Sequence, residues 1–148
     1  MAKAIVYFFT ALMAVLFVDQ IIKIVFLEGY VYEHSCFTLS LVYNKGVAFS
    51  MFAFLGENLK YIQVLLIGGV MSYVLYKKDI LLQYGFPLGL VIGGGISNLL
   101  DRFRHDGVVD YFHYHCGFDF PGIFNFADVM IDLGVFLILI ISWKTQER

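Results

Sequence analysis

The sequence predicts an all-α membrane protein, a four-transmembrane-helix bundle that carries a small extracytoplasmic antiparallel β-segment. Three observations predict it. The chain is 60% hydrophobic and 15% charged, whereas a soluble domain uses about 25% charged residues to cover its surface. Four apolar runs are each long enough to cross a hydrocarbon core about 30 Å thick. Between the first two runs the apolar period changes from helical to two-residue alternation. All 148 residues fit one integral membrane domain.

The first span covers residues 4–27. It exceeds the 7–15 apolar residues of a cleavable leader and contains Asp19, Gln20 and Lys23, so it is expected to stay in place. Asp19 and Lys23 lie four apart on one helix face, where an ion pair makes their burial tolerable, a structural role. The outer β-segment covers residues 28–57. Phe37, Leu39, Leu41 and Tyr43 alternate with Thr38, Ser40 and Val42, then Asn44-Lys45-Gly46 signals a turn into Val47–Phe52. An exposed edge of such a sheet could pair with an extended peptide.

The second span, residues 59–76, has Lys60 placed to snorkel and Tyr76 at an interface. The third, residues 80–102, is uncharged from Ile80 to Leu100. Gly85, Gly89 and Gly93 recur every fourth residue, followed by Gly94 and Gly95. That spacing suits close helix packing, or else a groove for a substrate helix. Residues 103–123 read as an outer loop, and residues 124–143 as the fourth span, with Trp143 at an interface.

Four spans put both termini on one side. Lys3, Lys77, Lys78, Lys144 and Arg148 fall there, which makes that side cytoplasmic. A net charge of −2 gives no basic field for nucleic acid. Cys36 and Cys116 form no C-x-x-C motif, and the sequence leaves open whether they pair.

Two aspartates carry the chemistry. Asp110 follows the third span and Asp128 opens the fourth, so both reach the same membrane face at the same depth. An ionisable group at membrane depth is a functional candidate, although Asn125 and Asp128 could instead cap the fourth helix. Two close carboxylates cannot both ionise cheaply, so they share one proton and can activate one water. Asn98, Asp101 and Arg102 close the third span at spacings that let them share a helix face. Arg102 could meet a phosphate head group, a substrate carbonyl or Asp101. Asp132, one turn beyond Asp128, is expected to raise the proton affinity of Asp128 if it is unpaired. His113, His115 and Cys116, with His34, His105 and Cys36 as extras, match no zinc spacing, so no metal and no cofactor are expected. Ser35, Ser50 and Ser97 lack a nucleophile-elbow context.

Five stretches together resemble lipoprotein signal peptidase (signal peptidase II), a membrane aspartic peptidase family. Asp19-Gln20-Ile21-Ile22-Lys23 resembles D-x-x-x-K, and Asn44-Lys45-Gly46-Val47-Ala48-Phe49 resembles N-x-G-x-A-F. Gly93 to Arg102 resembles G-G-A-x-G-N-x-x-D-R, Val108-Val109-Asp110-Tyr111 resembles V-V-D-F, and Phe124 to Asp128 resembles F-N-x-A-D. The resemblance implies a catalytic pair at Asp110 and Asp128. Asn98 and Asn125 would support the pair, while Asn44 and Arg102 would contact substrate, with Gly46 and Asp101 inside the same motifs. It implies a substrate too: a bacterial prolipoprotein bearing diacylglycerol on its lipobox cysteine, cut just before that cysteine. The setting would be the bacterial inner membrane, with the active site facing the outer leaflet, membrane lipids as partners and a monomer sufficient. Ser97, Gly95 and Val47 depart from the family pattern, and Asp106-Gly107 displaces a glycine by one. The rivals are an intramembrane protease of the G-x-G-D type, whose aspartate is missing after Gly93–Ser97, and a small proton-coupled transporter using the same aspartates, for which no internal repeat is visible.

Overall fold

A computed structural model describes residues 1–46, 53–117 and 122–147. Its helices are α1 (Ala2–Leu27), α2 (Asn58–Tyr76), α3 (Lys78–Arg104) and α4 (Phe126–Gln146). All four are long and apolar enough to cross a membrane.

The glycines explain why α3 is the hub. A Cβ on Gly93 would lie 2.7 Å from the Leu12 carbonyl oxygen, and one on Gly89 would strike that of Phe8. The stripe is therefore filled by the backbone of α1, and the alternative of a substrate groove there is corrected. Gly94 faces α4, where a Cβ would lie 2.7 Å from the Ala127 oxygen, and Gly134 of α4 approaches Pro87 just as closely. Small residues on two sides of one helix thus bring two neighbours to backbone contact. The α2 helix packs against α3 through Ile67 beside Gly95, and Gln63 donates to the Gly95 carbonyl at 3.2 Å. Phe8, Leu12, Val74, Leu81 and Ile92 join α1, α2 and α3 in one apolar cluster. Ala11, Val15 and Leu90 pack with Phe126, Met130 and Leu137 of α4 in a second. Phe17, Ile21, Leu65, Leu66, Phe136 and Leu139 point outward and exposed, an arrangement suited to lipid rather than water.

The sheet has four antiparallel strands in the order β1-β2-β3-β4: β1 (Tyr32–His34), β2 (Phe37–Asn44), β3 (Val108–Tyr114) and β4 (Ile123–Phe124). Val42 faces Asp110 and Asn44 faces Val108, with an irregularity between Leu39 and Val42. The sequence expectation for residues 103–123 needs correction. Residues 103–123 are not all loop, because they supply β3 and β4. The described partners of β2 are β1 and β3; the expected strand at Val47–Phe52 lies outside the described residues. The α4 helix also starts at Phe126 rather than 124, because Phe124 pairs with Phe112 and Asn125 is extended. Cys36 and Cys116 form a disulfide, beside a 2.9 Å hydrogen bond from the His115 amide to the Cys36 carbonyl.

Candidate active site

The site forms where β3 crosses the C-terminal end of α3 and the N-terminal end of α4. Asn125 is extended and caps α4: its Oδ1 accepts from the Asp128 amide at 2.9 Å, and its own amide donates to Asp128 Oδ2 at 3.1 Å. This reciprocal box uses the free donors of the first helical turn. The capping reading is therefore correct, and it does not compete with the chemical one. The same cap aims the Asn125 amide nitrogen at Asp110 Oδ1, 2.7 Å away. One asparagine thus touches both carboxyl groups.

Each carboxyl oxygen of the pair has one amide donor. Asn44 Nδ2 donates to Asp110 Oδ2 at 3.0 Å, and Asn98 Nδ2 donates to Asp128 Oδ1 at 2.8 Å. Amides orient a carboxyl without adding charge, and each oxygen keeps lone-pair capacity. Gly46 fixes Asn44 in turn, its amide donating to Asn44 Oδ1 at 3.0 Å. Asp110 is only 1% exposed. Burial first, and the Asp128 charge second, push its carboxyl up to about 7, against the opposing hydrogen bonds from Asn44 and Asn125 and the charge of Lys23. Burial also pushes the Tyr111 phenol up. The phenol oxygen accepts from the Phe126 amide at 2.9 Å, and its ring stacks on Phe26, tying β3 to α1 and α4.

Behind the pair lies a buried charge cluster. Lys23 contacts Asp19 and Asp101, each at 2.6 Å, and donates to Asn98 Oδ1 at 2.9 Å. The Asp19–Lys23 pair expected from spacing is present, but it is half of a larger unit. Asp19 also accepts from Ser97 Oγ at 2.7 Å and from the Ala127 amide at 2.8 Å. Asp101 holds the Val109 amide at 3.1 Å. Helix α1 thereby positions α3, the start of α4 and the strand that carries Asp110. Gln20 and Ser97 are members that sequence reasoning missed: Gln20 donates to Asp101 at 2.9 Å and to Ser97 Oγ at 3.0 Å. Their signal was polarity within an apolar span, and Ser97, a departure from the family pattern, puts its hydroxyl to use.

Asn98, Asp101 and Arg102 lie within one arc of about 100°, with Asp101 and Arg102 at its two edges. The correction concerns the partner of Arg102. Arg102 turns toward α2, donating to Gln63 at 2.9 Å and to the Gly46 carbonyl; Lys23, not Arg102, pairs with Asp101. Asp132 is exposed and makes no hydrogen bond or ion pair among the described residues. Cys116, a ligand in the metal reading, and Cys36, one of its extras, are joined to each other. No group of three metal-ligating side chains converges among the described residues.

The family described as signal peptidase (SPase) II matches residues 11–144. A lipoprotein signal peptidase of Sulfurimonas denitrificans is 57% identical over 129 residues, 87% of this chain and 82% of that protein. One from Helicobacter pylori is 48% identical over 146 residues, 99% of this chain and 92% of its own. A solved bacterial membrane enzyme, determined by the in meso method, shares the fold with a TM-score of 0.79 at 22% identity, covering 99% of this chain and 90% of that one.

Proposed function

The chain belongs to the signal peptidase II family, and from that premise we propose that it cleaves signal peptides from diacylglyceryl-modified bacterial prolipoproteins, just before the lipidated cysteine. The observation that carries the aspartic mechanism is Asn125 holding Asp110 and Asp128 together. The pair shares one proton. The ionised carboxylate takes a proton from water as the water oxygen attacks the scissile carbonyl carbon. The protonated partner donates to the carbonyl oxygen. As the tetrahedral adduct collapses, the carboxyl that took the water proton gives it to the leaving nitrogen, and its partner takes one from an adduct hydroxyl. The C–N bond breaks, leaving a carboxyl group on the signal peptide and a free amine on the cysteine. Asn98 and Asn125 support the pair, Asn44 and Arg102 contact substrate, and the Lys23 cluster is structural. The family favours this reading over a proton-coupled transporter.

The chain is a multi-pass membrane protein. In the inner membrane, termini in the cytoplasm would put the pair at the outer leaflet. The Cys36–Cys116 disulfide supports that orientation, since disulfides persist in oxidising compartments. One chain supplies both aspartates and their amide donors, so a monomer in lipid suffices.

The test offers purified protein in detergent a precursor with and without the diacylglyceryl group. Only the modified form is expected to be cut. Cleavage of neither ends the reading, and equal cleavage of both marks a general intramembrane protease. A pH profile tests the pair. Because Asp110 titrates near 7, raising pH through that value strips the shared proton, and the rate falls on the alkaline side. Asn44→Ala removes a bond that favours the ionised carboxylate, so this limb moves to higher pH. An unmoved limb contradicts the assignment.

A further inference from the structure

Outside the aspartate pair, a cavity of about 190 Å³ opens at the outer rim. Its wall carries Lys45, Lys60, Arg102 and His105 against two acids, Glu57 and Asp106. Each acid already has a lysine: Lys45 meets Asp106 at 2.6 Å, and Lys60 meets Glu57. On the wall itself Arg102 is the cation without a paired acid, its nearest carboxylates being Asp110, Asp128 and Asp101 behind it. Its guanidinium is held by the Gly46 carbonyl and Gln63, neutral groups, and its buried Nε has no hydrogen-bond partner among the described residues. The three cations and two acids named leave the cavity wall with a net positive charge.

It is also close to the chemistry. Asp110 bonds Asn44, Asn44 bonds Gly46, and Gly46 bonds Arg102. Gly107, on the cavity wall, stands three residues before Asp110, at most about 10 Å of extended chain. A Cβ on Gly107 would lie 2.6 Å from the Asn44 carbonyl oxygen, so cavity wall and aspartate support are in direct contact. Polar loop residues and the ends of α2 and α3 line the cavity. A signal segment approaches from the apolar side; the chain on the far side of the scissile bond must leave through the polar side.

We propose that this cavity is a subsite for the first few residues after the lipidated cysteine and that it selects acidic side chains there. The proposal rests on the signal-peptidase reading and adds a sequence preference to it. A carboxylate within a few residues of the cysteine meets Arg102 and Lys60, whereas a lysine there meets like charge.

The experiment uses the full chain in detergent and three diacylglyceryl precursors that differ only in carrying Asp, Asn or Lys at the second residue after the cysteine. The expected kcat/KM is about tenfold higher for Asp than for Lys at low ionic strength, the gap shrinking as salt screens it. Lys60→Glu closes or inverts the gap, and Asp106→Asn, which removes an acid from the same wall, widens it. The change resides mainly in KM. Equal kcat/KM for all three precursors overturns the subsite, as does a preference that neither variant alters. A rate that follows added anionic phospholipid and ignores the residue also overturns it, assigning the cavity to a lipid head group. Failure of the parent enzyme to cut any of the three is different: it removes the signal-peptidase reading, and the subsite with it.

Discussion

Turnover of a diacylglyceryl precursor falls by about 10³-fold or more in Asp110→Asn and again in Asp128→Asn, a loss on the scale of removing a positioned acid–base group. Each carboxamide matches its carboxylate in volume, and the donors around it are neutral amides rather than cations. Neither change opens a cavity, and Lys23 keeps Asp19 and Asp101. The cost is about one amide hydrogen bond exchanged for a donor–donor contact, so both variants still fold, melting modestly below the parent. Cleavage is read by mass spectrometry and folding by thermal unfolding in detergent. Residual turnover within tenfold of the parent, in a folded variant, contradicts a mechanism that needs both carboxyl groups.

Lys23→Met has the opposite character. Asp19 is 0% and Asp101 is 1% exposed, and the substitution leaves both carboxylates buried without a cation. Removing one partner of a buried ion pair costs about 3–5 kcal/mol, a large fraction of a typical domain's stability. The variant is expected to melt far below the parent or to fail to accumulate. Converting all three residues, with Asp19→Asn, Lys23→Met and Asp101→Asn together, restores much of that loss, because a neutral set carries no uncompensated charge. A single Lys23→Met variant that melts like the parent would show that the cluster does not hold the bundle together.

The four helices were legible because uncharged stretches such as Ile80–Leu100 have one reading in a chain this apolar. Both aspartates were legible because each sits in a short motif at the end of a span. The strand that carries Asp110 was not. Val108, Val109, Asp110 and Tyr111 are all buried, so the alternation that reveals a half-exposed strand is missing. Its partner β2 lies more than 60 residues away in sequence, and no local pattern encodes that pairing. The charge cluster was half legible for a related reason. Helical spacing gives Asp19 and Lys23, but Asp101 joins them only after α1 docks on the glycine face of α3, a rotation fixed by packing. The partners of Arg102 were not legible because spacing along one helix does not say which neighbour occupies each side.

The bond from the Ala127 amide to Asp19 spans 108 positions of the chain. Synthesis proceeds from the amino terminus, so the first helix waits for the last before this contact can close. Until then the residues flanking Asp128 lack their anchor. A partly synthesised chain already holds Asp110 but cannot yet assemble a working centre. The two aspartates are therefore brought together only once the fourth helix has been made and docked on the first.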